Sequence, residues 1–323
     1  MPRPRLRRPR IAPLLIALLV AAAAPATAQP LLADATPAQS ATALPVPTMP
    51  TTAAATDAPH ILDVLTFNTA LLPSIAARTR QGERAAVMAP HLVGYDVLVL
   101  QELFDDRLAQ PLLLELAAAY PYRTERVGRD GARMMPWRQD GGVVILSRWP
   151  IEREAQMTFD ATCSGTDCLA DKGVAYAAVR KGDRVYHVFG THAQSVYGSG
   201  VAGVRAAQFA LLRGFVDAQG IPADEPVVLA GDFNVDAGRP ELASMLEVLR
   251  AVRPPTDGDM RFTWDPEGNA FADHRGEWLD YVLYAADHAA PVAAWNRAVP
   301  LRHEGLDLSD HYAVWGRLVM GPR

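Results

Sequence analysis

The sequence predicts a layered α/β domain on three observations. Short apolar runs bounded by turn residues recur along the chain, helix-period patterns lie between some of them, and nothing breaks the alternation over residues 61–318. The runs cover 61–67, 96–101, 142–147, 173–180, 185–191, 226–230, 278–284 and 312–318. Their shortness and their Val, Leu and Ile content favour buried strands. Over 203–219, Val204, Ala207, Leu211, Leu212 and Phe215 fall at helix spacing and make one apolar stripe. Residues 83–93, 106–119 and 240–249 also read as helices. The last two open on an acidic residue or a proline, which suit the unpaired N–H groups of a first turn. Many strands mixed with helices, without an internal repeat, indicate one large α/β domain with ample core.

Ahead of this domain the composition changes twice. The first ten residues hold five arginines and no acid, an apolar run follows over 11–24, and Ala26-Thr27-Ala28 precedes Gln29. That is the three-part pattern of a secretory signal peptide with an Ala-x-Ala cleavage site. A membrane-spanning helix needs about 20 apolar residues, and Pro25 ends this run early. Arg7-Arg8 reads equally as a twin-arginine address or as part of an ordinary basic leader. Residues 29–60 are Ala, Thr and Pro with almost no charge or aromatic residue, too little apolar surface to order themselves. The expected organisation is a signal peptide at 1–28, a disordered linker at 29–60 and the folded domain at 61–323. The mature protein is expected to be secreted or periplasmic and monomeric, with no transmembrane segment.

Without the leader, 26 Lys and Arg face 36 Asp and Glu, a net charge of −10. Nucleic-acid binders gain affinity by displacing counterions with surplus basic residues, so this balance disfavours nucleic acid as a partner. Lysine is nearly absent, with Lys172 and Lys181 the only two. Cys163 and Cys168 are the only cysteines. An even pair in an exported chain reads as a disulfide, here closing a local loop. A metal site is the rival reading, weakened because no histidine stands beside them.

The chemistry lies at the ends of the expected strands. Asn68 follows the first run and Glu102 the second; His192, Asp232 with Asn234, Asp280, and Asp310-His311 stand at later strand boundaries. Each alone has a plain explanation, such as a turn cap, an exposed acid or a histidine bonded to a carbonyl. Their recurrence at strand ends is different, because one edge of an α/β sheet would gather them. Carboxylate and amide oxygens suit magnesium, calcium or manganese, whereas zinc sites carry more histidine or cysteine. A cation on phosphoryl oxygens, a base for water and donors for developing charge are what phosphodiester hydrolysis gains from.

The order Asn68, Glu102, His192, Asp232-x-Asn234, Asp280, Ser309-Asp310-His311 resembles the endonuclease/exonuclease/phosphatase superfamily over nearly all of residues 61–318. The resemblance implies a four-layer α/β/β/α sandwich with two central mixed sheets and a site at one rim. It implies that Asn68 and Glu102 hold the principal divalent ion, Mg2+ or Mn2+. Asp232 and Asn234 would position water and stabilise the phosphoryl oxygens, near enough to serve as ligands too. His311, oriented by Asp280, would be the general base or acid, itself close to the metal, and Asp310 and His192 would contact the phosphate or a second ion.

Further segments resemble one branch, the bacterial neutral sphingomyelinases. They are Gln101-Glu102-Leu103-Phe104-Asp105, Asp140-Gly141-Gly142 with the run through Ile151, Asp171-Lys172-Gly173, Gly190-Thr191-His192-Ala193-Gln194, and Thr263-Trp264-Asp265-Pro266 with Asn269. This branch implies a sphingomyelin or related choline-phosphate lipid as substrate. It also implies catalytic parts for Lys172 and Asp167, with the lysine an ammonium donor to the substrate phosphate; a surface lysine at a strand start is the plain alternative. One departure stands out. Bacillus-type members carry a long aromatic insertion before Ser-Asp-His, but here the interval is short, with Trp295 its only aromatic residue beyond Tyr284. An apolar loop at Met134, Met135, Pro136 and Trp137 is the substitute the chain offers for meeting a membrane. A secreted nuclease, a sugar-phosphate or inositol-phosphate phosphatase, and a catalytically inactive lipid-binding protein are the alternatives on the same scaffold.

Overall fold

The computed structural model describes residues 56–73, 79–128, 139–195, 198 and 200–322, all within the unit Pro50–Arg323. The leader at 1–28, nearly all of the linker, and the Met134 to Trp137 loop lie outside the described residues. Strands run in the order β1 (Ile61–Asn68), β2 (Val97–Gln101), β3 (Tyr122–Arg123), β4 (Gln139–Asp140), β5 (Val144–Ser147), β6 (Ile151–Thr158), β7 (Ala170–Asp171) and β8 (Gly173–Lys181). They continue as β9 (Arg184–His192), β10 (Val227–Asp232), β11 (Ala251–Val252), β12 (Asp280–Ala285), β13 (Ala293–Val299), β14 (Arg302–His303), β15 (Leu306–Asp307) and β16 (Ala313–Val319). The helices are α1 (Gln81–Met88), α2 (Asp106–Leu116), α3 (Val201–Ala218) and α4 (Glu241–Leu249).

Two six-stranded mixed sheets form the centre, ordered β13-β16-β1-β2-β5-β3 and β11-β12-β10-β9-β8-β6. Val64, Val99, Ile145 and Val314 of the first interleave with Val174, Val188, Leu229 and Val282 of the second in one core. Leu65, Phe67, Leu98 and Leu100 are also fully buried, so the central strands of the first sheet are covered on both faces. Phe209 and Phe215 of α3 lie against Phe233 and Phe189. With α1 on α2 and α3 on α4, the four layers are α/β/β/α, as the resemblance implied. Close approach of the sheets requires Gly190, where a Cβ would sit 2.7 Å from Val99 Cγ1.

Each expected strand is present, but two long strands were not expected. β6 and β13 are the outer members of their sheets, and β6 is partly or fully exposed along its length. An edge strand with charged residues has no continuous apolar run to betray it. The expected 83–93 helix stops at Met88 and passes into a 3-10 turn, Ala89–His91, where Pro90 cannot continue the bonding. α2 begins where Asp105 accepts the N–H of Arg107 (3.1 Å). The end of the linker, from Thr56, is joined to the domain: Pro59 O accepts from Tyr186 Oη at 2.7 Å and Asp57 pairs with Arg148 at 2.9 Å. Cys163 and Cys168 form the expected disulfide.

Candidate active site

One parallel strand pair in each sheet, β1 with β2 and β9 with β10, ends at the same rim. β1 ends on Asn68, Glu102 follows β2, β9 ends on His192 and β10 on Asp232. Register sets Asp232 beside His192 on one side and beside Asp280, the first residue of β12, on the other. Asp310 and His311 precede β16, which pairs with β1. Glu102 and Asn234 take left-handed backbone, φ 57° and 53°, which costs an L-residue about 1–2 kcal/mol and gathers strain at the site.

The side chains meet. Asn68 Nδ2 donates to Glu102 Oε1 and to Asp232 Oδ2, both at 3.1 Å. His311 Nδ1 lies 2.8 Å from Asp280 Oδ2, and its Nε2 is 3.8 Å from Asp232 Oδ2. His192 Nε2 is 3.6 Å from Asp232 Oδ2 and 3.8 Å from Glu102 Oε1. Asn234 donates its backbone N–H to Asp232 Oδ1 (2.9 Å) and its Nδ2 to Ala193 O (3.2 Å). The Thr-Trp-Asp-Pro segment braces this set. Thr263 Oγ1 accepts the N–H of Leu279 and of Asp280 at 2.9 and 3.3 Å, Trp264 meets the His311 ring edge-on at 5.0 Å, and Asn269 Nδ2 donates to Ser309 O at 2.8 Å. Ser309 Oγ in turn donates to Asn68 O at 2.6 Å.

Lys172 and Asp167 come together as an ion pair of 2.7 Å with both side chains buried, so Lys172 is not a surface residue. Gly173 lets this strand start close on β6, where a Cβ would fall 2.0 Å from Met157 O. The three protons of the ammonium point at Asp167 Oδ2, His192 Nε2 (3.1 Å) and Ala193 O (3.0 Å). The expected free donor to a phosphate is therefore committed to protein atoms here, and the lysine makes His192 Nε2 an acceptor. Asp167 is likewise occupied: Ser195 donates its backbone N–H to Oδ2 and its Oγ to Oδ1, both at 2.8 Å. Ser195 carried no functional signal of its own in the sequence, since a serine in a loop is unremarkable until its partner is known, and Thr263 was marked only as part of the Thr-Trp-Asp-Pro segment, without a role. Arg84, buried behind this rim, was equally hidden.

Charge is unevenly supplied. Burial, then the neighbouring Asp310, pushes the Glu102 carboxyl up to about 7. Burial, then Asp280, pushes Asp232 up to about 6. Burial opposes a charged His311, yet Asp280 and Asp232 outweigh it and hold the ring well above its ordinary value. Burial, then Lys172 and His311, holds His192 well below its own, so that ring is neutral. Glu102, Asp232, Asp280 and Asp310 thus converge where Lys172 and His311 bring the compensating charge, an arrangement short of cation. Asp232, Asp280 and His311 offer ligand atoms within 4.8 Å of one another, and Asp280 Oδ1 is buried with no hydrogen-bond partner among the described residues. Oxygen-rich donors with an orphaned carboxylate oxygen fit a hard divalent cation.

A cavity of about 610 Å3 contains Glu102, His192, Asp232, Asn234, Asp310 and His311, walled by Trp264 and Arg239. It shares Leu72, Glu102, His192 and Ser195 with a second cavity of about 520 Å3 that runs past Lys172 to Pro73, Phe104 and Leu169. Leu169 is half exposed, whereas Trp295 is buried in β13 and is no membrane anchor. Among the described residues no helix is long and apolar enough to cross a membrane.

A model described as Endonuclease/Exonuclease/phosphatase family matches residues 65–311. The chain is 35% identical over 286 residues to Sphingomyelinase C of Leptospira interrogans, with 79% of the chain and 51% of that protein aligned. It is 32% identical over 305 residues to Sphingomyelinase C of Bacillus cereus, with 82% and 91% aligned. It therefore spans about half the length of the first relative and nearly all of the second. Its fold superposes on the crystal structure of sphingomyelinase C from Streptomyces griseocarneus with TM-score 0.73 and 36% identity, covering 80% of this chain and 99% of that one. A Staphylococcus aureus beta toxin mutant with bound magnesium ions gives TM-score 0.72 and 29% identity, over 79% and 98%.

Proposed function

Since the chain belongs to the endonuclease/exonuclease/phosphatase family, in its bacterial sphingomyelinase branch, we propose that it hydrolyses sphingomyelin, or a closely similar choline-phosphate lipid, to ceramide and phosphocholine. The observation that carries this reading is the single cleft in which a cation-poor carboxylate cluster opens directly onto an apolar lip, Leu72, Pro73, Phe104 and Leu169. A nuclease would want a basic track there, which the net charge opposes.

Asn68, Glu102 and Asp310 would hold the divalent cation, magnesium first, with Asp232, Asn234 and His311 adjoining. When bound, the ion supplies positive charge to the phosphoryl oxygens. Asp280 holds Nδ1 of His311, leaving Nε2 facing Asp232 across the cleft. In that position the charged ring has an Nε2 proton to give to the leaving oxygen, while Asp232, with Asn234, orients the water and takes its proton. The water oxygen bonds to phosphorus as the bond to the ceramide oxygen breaks, and that oxygen departs with the proton from His311 Nε2. Neutral His192 accepts from Lys172 on Nε2 and so holds that ammonium, which Asp167 and Ser195 also secure, at the wall of the cleft. The apolar lip would receive the ceramide side. Export is part of the same proposal, supported by the leader pattern and by the disulfide, which persists in oxidising compartments.

The test is release of phosphocholine from sphingomyelin vesicles with magnesium, beside phosphatidylcholine vesicles, plasmid DNA and a chelator. Choline-phosphate release that the chelator abolishes, without DNA cleavage, is expected. DNA nicking without lipid turnover would overturn the substrate, and chelator-resistant turnover would overturn the metal.

A further inference from the structure

Arg84 is fully buried, on the inward stripe of α1 with Gln81, Ala85 and Met88. A guanidinium has five N–H groups, and here five oxygens receive them. Nε donates to Thr79 O (2.7 Å), Nη1 to Thr69 O (2.8 Å) and Leu308 O (2.7 Å), and Nη2 to Ala70 O (2.7 Å) and Thr79 Oγ1 (2.9 Å). None of the five is a carboxylate. An enclosed cation without an acidic partner is costly to keep, which asks what it does in return. Thr69 and Ala70 directly follow Asn68, and Leu308 directly precedes Ser309-Asp310-His311. The charges that act on Arg84 from nearby are those of Asp310 and Glu102.

We propose that Arg84 is a positioning residue of the reaction, a buried clamp that joins the end of β1 to the loop bearing Asp310 and His311 so that both form one divalent-cation site. The inference rests on the metal-dependent phosphodiesterase reading. Asn68 and Ser309 are 241 positions apart in sequence, so their mutual placement depends on cross-links of this kind. Lysine could not replace it: three donors on a single nitrogen cannot span carbonyls on three segments, whereas the planar fork can.

The experiment uses the full protein with Arg84→Lys and Arg84→Gln. Binding of Mg2+ and of Mn2+ alone is measured by calorimetry, thermal unfolding is followed with and without the ion, and kcat and KM are taken on a soluble short-chain sphingomyelin. Arg84→Gln is expected to bind the ion about tenfold more weakly, on the scale of losing a supporting partner of a metal ligand. Its kcat should fall with occupancy while KM moves little, and Arg84→Lys should recover only part of the affinity. If Arg84→Gln does not fold, Arg84→Lys decides. Wild-type ion affinity in the folded lysine variant, with only its thermal midpoint lowered, would make Arg84 a structural brace and overturn the proposal. Wild-type protein that binds the ion yet releases no phosphocholine would instead break the functional reading, so the two failures are separable.

Discussion

Two lysine–aspartate pairs stand at opposite ends of one strand and do different work. Lys172 immediately precedes β8 and pairs with Asp167 at 2.7 Å; Lys181 ends β8 and pairs with Asp96, also at 2.7 Å. Both pairs are buried. Beyond Lys181 lie Ile61 O and the Trp149 ring, so its pair links the two sheets inside closed core. Beyond Lys172 lie His192 and the cleft. Burial pushes Lys181 below and Asp96 above their ordinary values, the mark of charges kept in apolar surroundings against desolvation. The same pair of residue types therefore stands in closed core or at the candidate site according to what the ammonium touches next.

That contrast can be broken by mutation. The largest effect on turnover is expected at His311, which sets the scale for the cleft. His311→Ala should lower kcat by about 10²–10⁴, the range for loss of an acid-base group, with an unchanged circular dichroism spectrum. A loss under tenfold would move the proton transfer elsewhere. The two lysines should then part company. Lys172→Met should cost about 10-fold to 10²-fold in kcat, the equivalent of one charge-assisted hydrogen bond of ~1.5–3 kcal/mol, with little loss of stability because Ser195 still satisfies Asp167. Lys181→Met should leave kcat of the folded protein alone but lower its unfolding free energy by about 3–5 kcal/mol, since Asp96 stays buried without its cation. Urea titration beside initial rates reads both, and Lys181→Met combined with Asp96→Asn should regain part of the loss. Equal effects of the two single variants on both measurements would erase the distinction. The smallest effect is expected from Ser195→Ala. It removes the Oγ bond to Asp167 and spares the backbone one, so kcat should fall about threefold to tenfold for ~0.5–1.5 kcal/mol. Unchanged kcat would mean that Asp167 is held by Lys172 and the Ser195 N–H alone.

Legibility followed burial. Strands in the middle of each sheet are apolar throughout, and their positions were readable to within a residue or two. β6 and β13, at the sheet edges, were invisible because an edge strand keeps a polar side. Residues at strand ends, Asn68, Glu102, His192 and Asp232, could be picked out because a polar residue closing an apolar run is conspicuous. Arg84 and Ser195 could not, and Thr263 only as part of a family segment without a role, as each acts through partners distant in sequence. Trp295, the tryptophan of the short interval that has little to insert, is packed in β13.

Local order alone therefore determined the α/β class, the disulfide pairing and the list of polar groups offered to the rim, because period, turn chemistry and strand-end polarity are properties of neighbouring residues. Tertiary structure decided which of those groups touch, that the Lys172 protons are spent on Asp167, His192 and Ala193, and that Arg84 draws segments from the two ends of the domain to one place. Those outcomes depend on distances across two stacked sheets, and no spacing along the chain encodes a distance between strands that only folding brings together.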